Sequence, residues 1–173
     1  ELARAAGLCA SQHVLDVGSG LGGPSRCIAR AFGCRVTGVA LTGEYCRVAA
    51  MLAGTRRKPE EVVGRMRSTH FREYWQYTVE KVAVNAVMAG ARPAYFPVIL
   101  ALAATGVTAR GSSSSAVASM AVVGGPIRNE IGMNAGIGAM GPYNHANATI
   151  GRAYGLLSQN GQGGSVPGLS YMG

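Results

Sequence analysis

Residues 13–23, His-Val-Leu-Asp-Val-Gly-Ser-Gly-Leu-Gly-Gly, set a short apolar run directly against a glycine loop. A strand of this kind carries the backbone to the rim of a sheet. Glycines at 18, 20 and 22 then leave room for a ligand against bare amides and for close packing of the following helix. Pro24 suits the first turn of that helix, where its missing N–H is not needed. Ile28, Ala29, Ala31 and Phe32 give the helix an apolar face, Gly33 supplies a stop, and Arg35 to Ala40 reads as a second strand. The order strand, loop, helix, strand predicts a Rossmann-like βαβ unit, and with it an α/β fold built on a mainly parallel sheet.

Val14-Leu15-Asp16-Val17-Gly18-Ser19-Gly20-Leu21-Gly22-Gly23, followed by Arg35-Val36-Thr37-Gly38-Val39, closely resembles the start of a class I S-adenosylmethionine-dependent methyltransferase. The resemblance ends near residue 50. It implies that Asp16 helps to hold the methionine end of S-adenosylmethionine and that Gly18, Ser19, Gly20 and Gly22 pass beneath that cofactor. It also implies an acid at the end of the second strand for the ribose hydroxyls, and the matching residue here is Ala40. A methyl group accepts no hydrogen bond, and removing a bidentate charged hydrogen bond from a half-buried site costs about 1.5 to 3 kcal/mol. Glu44, four residues on, substitutes only if the loop bends back. About fifty residues cannot close a core alone, so residues 1–50 are expected to be a partial nucleotide-binding unit packed on something else.

The chain carries 16 basic and 8 acidic residues, a formal charge of +8. That balance invites a nucleic-acid reading, but its distribution argues against one. The cluster Arg56-Arg57-Lys58 is followed at once by Pro59-Glu60-Glu61, the pattern of a solvated helix start. Beyond residue 80 the only charges are Lys81, Arg92, Arg110, Arg128, Glu130 and Arg152, without aromatic interleaving for base stacking, so no specific nucleic-acid binding is expected. Cys9, Cys27, Cys34 and Cys46 form no Cys-x-x-Cys pair and have no companion histidine cluster. Free buried thiols in a reducing, cytoplasmic setting are therefore expected, with no metal. The longest apolar run, 96–107, contains Pro97 and is too short to span a bilayer. Beginning at Glu1 and ending after Gly-Leu-Ser-Tyr-Met, the chain is expected to be a fragment at both ends.

A second organisation begins around Met51. Arg56 to Met66 reads as a charged helix. Ser68 to Tyr77, with His70, Phe71, Tyr74, Trp75 and Tyr77, reads as an aromatic connector. Val79, Val82, Ala83, Ala86, Val87 and Gly90 draw one apolar stripe along a helix. Pro93 opens another helix, with Phe96, Ile99, Leu100 and Ala103 inward and Gly106 as its stop. Gly111 to Ser115 reads as a loop, and Val117 to Val123 as a strand. A short helix ending at Ile131 leads to Gly132–Pro142, a stretch too glycine-rich and apolar to suit a solvent loop. The last helix runs from His145 to about Ser158, capped by Asn144, with Ala146, Ile150, Ala153 and Leu157 on its packed face.

Gly54-Thr55-Arg56-Arg57, Thr78 to Gly90, Gly125-Pro126-Ile127-Arg128 and Asn147 to Ala153 resemble the C-terminal region of the UGSC family, which is mostly uncharacterised and is named for a selenocysteine-or-cysteine Gly-Ser-Cys motif. That motif is missing here. The resemblance covers most of residues 52–173 and implies that residues 51–173 form an α/β glycine-rich region joined to the first unit as a junction of two family fragments.

Few groups are available for chemistry. Asp16 is the only aspartate, and beyond residue 81 Glu130 is the only acid and His145 the only histidine. His145 and Arg152 are the candidate catalytic residues, His145 to move a proton and Arg152, with Arg128, to clamp an anion. Asn134, Tyr143, Asn144, Asn147 and Thr149 are candidate substrate-binding residues, because polar groups amid apolar sequence are costly to bury without partners. Three functions follow: a methyltransferase-like protein acting on a small molecule, active or degenerate; a small-molecule enzyme of the UGSC type with its site in residues 134–152; and a non-catalytic assembly module. The sparse charge also predicts a homo-oligomer held through Phe71, Tyr74 and Trp75.

Overall fold

The structure, a computed structural model, describes residues 2–67, 74–107 and 120–161. It combines helices and strands and divides the chain into two compact units, Glu1–Gly54 and Thr55–Gly173.

In the first unit a short helix α1 (Leu2–Ala5) precedes strand β1 (His13–Val17), helix α2 (Gly23–Phe32), strand β2 (Arg35–Val39) and helix α3 (Gly43–Ala53). β1 and β2 pair in parallel, from His13 opposite Arg35 to Val17 opposite Val39. The two ends of α2 obey the chemistry of its sequence. Gly22, at φ 73°, turns the chain into the helix with Pro24 in the first turn, and Gly33, at φ 69°, ends it by donating its amide to Ala29 O. One side of the sheet carries the half-buried Val14, Asp16 and Val36, while Leu15, Val17 and Val39 on the other are exposed. The core of this unit is small and draws on Cys34, Val48, Met51 and Leu52. Of the four free cysteines only Cys34 is buried; Cys9, Cys27 and Cys46 are exposed, contrary to the expectation of buried thiols. α3 runs to Ala53, which carries the first unit past residue 50.

The second unit opens on strands β3 (Val62–Arg67) and β4 (Tyr74–Thr78), followed by helix α4 (Val79–Met88), a 3-10 turn (Pro93–Tyr95) and helices α5 (Phe96–Ala104), α6 (Ile127–Glu130) and α7 (His145–Gly161). α4, α5 and α7 pack on one another, and α5 also packs on β3. Tyr77, Phe96, Met66, Ile99, Leu157, Val79 and Val82 are the largest apolar side chains wholly enclosed. The apolar stripes expected of α4, α5 and α7 face this core, including Ala146, Ile150, Ala153 and Leu157 on α7. No described helix is long and apolar enough to cross a membrane.

Three expected elements differ. Residues 56–66 do not form a helix: Arg57 and Glu61 make an i,i+4 ion pair at 2.9 Å, but the backbone turns there and then extends as β3. The β-branched pair Val62-Val63 favours extension. Gly64 then lets the strand lie against the Tyr77 ring, after a register shift between Val62 and Gly64. The described end of the aromatic connector, from Tyr74, becomes the partner strand, since Tyr74-Trp75-Gln76-Tyr77-Thr78 alternates its side chains across an antiparallel ladder. The described sheets are thus one parallel and one antiparallel pair, not a mainly parallel sheet. The strand expected at Val117 to Val123 is absent from its described part, residues 120–123; a strand needs a neighbouring edge for its ladder, and these residues have none among the described ones. His70, Phe71, the loop at Gly111 to Ser115 and residues 117–119 lie outside the described residues.

Candidate functional site

The glycine loop sits at the carboxyl ends of β1 and β2. Three of its amides are not bare: Gly18 N and Ser19 N both donate to Val39 O, at 2.8 and 3.0 Å, and Gly22 N donates to Ser19 O at 2.8 Å. These bonds tie the loop to the end of the second strand and fix its curl. The three glycines divide the work. A Cβ at Gly18 (φ +82°) or Gly20 (φ +54°) would meet nothing within 4 Å, so these two positions border open space. A Cβ at Gly22 would lie 3.1 Å from Arg26 Nη1 and 3.3 Å from Ala49 Cβ, so this glycine serves close packing of the helices. Arg26 Nη1 also donates to Leu21 O at 2.5 Å, bracing the loop from below.

Asp16 is placed against this loop. Its Oδ2 accepts a hydrogen bond of 2.5 Å from Ser25 Oγ, in the first turn of α2. Gly38, opposite Asp16 on β2, completes the arrangement, because a Cβ there would stand 2.7 Å from Ser19 Oγ and 3.4 Å from Ser25 Oγ. One carboxylate and two hydroxyls therefore gather where the loop leaves the sheet. The other end of the expected cofactor site is different. Ala40 follows β2 immediately, and Glu44 does not fold back toward it: Glu44 lies in the first turn of α3 and forms an exposed ion pair with Arg47 at 2.8 Å.

In the second unit three candidate residues meet, and they meet on the backbone. Asn147 Nδ2 donates to Asn134 O at 2.9 Å and to Ala139 O at 3.0 Å, while its Oδ1 accepts from Asn134 N at 3.1 Å. Asn134 binds Gly136 N and Ile137 O within its own turn. Asn144 caps α7 by accepting from Asn147 N at 3.0 Å and donates to Gly132 O at 2.9 Å. The carboxamides thus serve as a clamp on the glycine-rich segment. That segment is at the surface after all, with Ile137 and Met140 exposed to solvent. An apolar glycine-rich loop can stay there because polar side chains, not apolar burial, hold its backbone.

The remaining candidates do not join them. Tyr143 is 94% exposed, and Thr149 Oγ1 donates to His145 O one turn back at 2.7 Å. His145 stands against Tyr95, with Nδ1 3.3 Å from the phenol oxygen and ring centroids 5.7 Å apart. Arg152 is exposed and, with Asn147, borders an apolar cleft of about 530 Å³ walled by Leu102, Met133, Met140 and Ile150. Arg152 and Asn147 thus share one concavity, while His145, Arg128 and Asn134 stand outside it. We expect Asn147→Ala to remove three hydrogen bonds at once and lower stability by about 1–3 kcal/mol, read as a fall in unfolding midpoint with faster amide exchange at Asn134.

Sequence reasoning missed a second cleft. It lies between β4, α4 and the end of α7, encloses about 310 Å³, and is lined by Trp75, Tyr77, Glu80, Lys81, Asn85 and Asn160 among others. Its signal was the buried Asn85, hidden within the apolar stripe of α4.

No family model, no curated protein and no solved structure matches this chain.

Proposed function

We propose that the first unit is a methyltransferase-like binding site for S-adenosylmethionine or its demethylated product, holding the amino-acid end of that molecule and serving a small-molecule substrate. The observation that carries this reading is the convergence of Asp16, Ser25, Ser19 and the open positions Gly18 and Gly20 at the carboxyl ends of two parallel strands. In open α/β sheets that rim is where ligands sit. The residues fit the ligand at one end only. Asp16 offers a carboxylate for an ammonium group and the serine hydroxyls offer further polar partners, whereas Ala40 offers the ribose nothing and Glu44 is engaged by Arg47.

Calorimetry with S-adenosylhomocysteine tests the reading. Weak, millimolar binding is expected of the natural chain. Ala40→Asp restores an acceptor for the ribose and is expected to tighten binding about tenfold, equivalent to ~1.4 kcal/mol. Gly38→Val drives a side chain into Ser19 and is expected to abolish binding, as is Gly20→Val, which fills the open space above the loop. Absence of binding to both the natural chain and Ala40→Asp at millimolar ligand overturns the proposal.

A further inference from the structure

The cleft of about 310 Å³ in the second unit combines three features. The first is the indole of Trp75, 44% exposed on β4, which offers a flat apolar wall. Tryptophan faces of this kind stack planar ligands, and base-on-aromatic stacking contributes about 1–3 kcal/mol. The second is Asn85, only 6% exposed on α4 and bordering the cleft. A carboxamide has two N–H donors and two acceptor lone pairs. Among the described residues Asn85 uses one of each: its Nδ2 donates to Lys81 O at 2.8 Å, and its Oδ1 accepts from Asn160 Nδ2 at 2.7 Å. One N–H and one lone pair of this held carboxamide are left over among the described residues, at a position that borders the cleft. The third is the rim, where Glu80 and Lys81 bring opposite charges that cancel and favour a neutral occupant over an ion.

We propose that this cleft is a binding site for a small, neutral, planar heterocycle carrying an amide or lactam edge, stacked on Trp75 and bonded as both donor and acceptor to Asn85. The cleft lies at the lower end of the range for small-molecule sites, about 300–1,000 Å³, so the ligand has one or two rings. An asparagine carboxamide pairs with such an edge as it pairs with adenine, one donor and one acceptor to each partner. The site is built wholly from β4, α4 and α7 of the second unit and is independent of the glycine loop.

Trp75 is the only tryptophan in the chain, so its fluorescence in the full-length protein reports on this cleft directly. Nicotinamide and uracil are the probes, and benzyl alcohol is the control that can stack without an amide edge. Saturable quenching by a probe, with little response to the control, is expected. Asn85→Leu, close in volume and apolar, is expected to weaken binding about tenfold by removing both bonds. Because Asn85 is buried, circular dichroism establishes that the variant folds; if it does not, Trp75→Ala, at a half-exposed position, is read by calorimetry and is expected to weaken binding about fivefold through lost stacking. Quenching by both probes that rises linearly without saturating overturns the proposal. So does an equal response to benzyl alcohol, or unchanged affinity in a folded Asn85→Leu or in Trp75→Ala.

Discussion

Replacing Gly64 by valine is expected to unfold the second unit under conditions in which the natural chain is stable. A Cβ at this position would fall 2.5 Å from Tyr77 Oη, 3.0 Å from Tyr77 Cζ and 3.0 Å from Ala103 O. None of these neighbours can retreat cheaply. Tyr77 is fully enclosed, its phenol donates to Ala103 O, and Ala103 lies on α5, which packs on β3. Overpacking of this kind costs about 1–3 kcal/mol, and breaking the phenol–carbonyl bond adds about 1–3 kcal/mol for the buried hydroxyl left without its partner. The sum, about 2–6 kcal/mol, is a large share of a domain stability of roughly 5–15 kcal/mol. A chemical denaturation midpoint indistinguishable from that of the natural chain would show that the strand pair does not close over Tyr77 as described.

The same tyrosine is expected to make the protein sensitive to strong alkali. Burial first, and then the neighbouring Tyr154 phenol, push the Tyr77 hydroxyl up to about 12. An unfolded tyrosine titrates near 10. Below about pH 10 the proton is held in both states and the full contribution of the buried phenol is present. From about pH 10 to 12 the unfolded chain releases the proton while the folded chain keeps it, so stability falls across that window. Tyr77→Phe removes this titration and is expected to lose that part of the alkaline slope, at a cost near neutrality of about 0.5–1.5 kcal/mol for one lost hydrogen bond, since Ala103 O still accepts from Gly106 N at 3.2 Å. Tyr77→Ala also removes the ring and is expected to cost about 3–5 kcal/mol. Urea midpoints measured from pH 8 to 12 check both results; an unchanged slope in Tyr77→Phe would assign the alkaline sensitivity to other groups.

Local chemistry in the sequence was enough for the first strand–helix–strand unit and for the helices of the second. Gly22, Pro24 and Gly33 specify the ends of α2 whatever surrounds them, because positive φ and a missing N–H are properties of single residues. The buried positions of α4 and α7 were likewise legible, since a stripe with helical period has one face to bury. The cap at Asn144 needed only its own neighbourhood.

What the tertiary structure decided depends on partners far apart in the chain. Charges at Arg57 and Glu61 pair equally well in a helix or a turn, so they could not announce that residues 62–67 extend; the strand exists because Tyr74 to Thr78 lies beside it. The polar cluster around Asn147 looked like a ligand site because its residue types suit one, and only folding showed those amides bound to the backbone of Asn134 and Ala139. Asn85 presents the opposite case. In the sequence it is one polar residue in an apolar helix, and its role at the cleft arises only when Trp75 and Asn160 are brought to it from β4 and the end of α7. Periodicity and capping are governed by residues a turn apart, and so the sequence itself expresses them. Hydrogen-bond satisfaction and the walls of a cavity are set by residues tens of positions away, and so only the packed chain determines them.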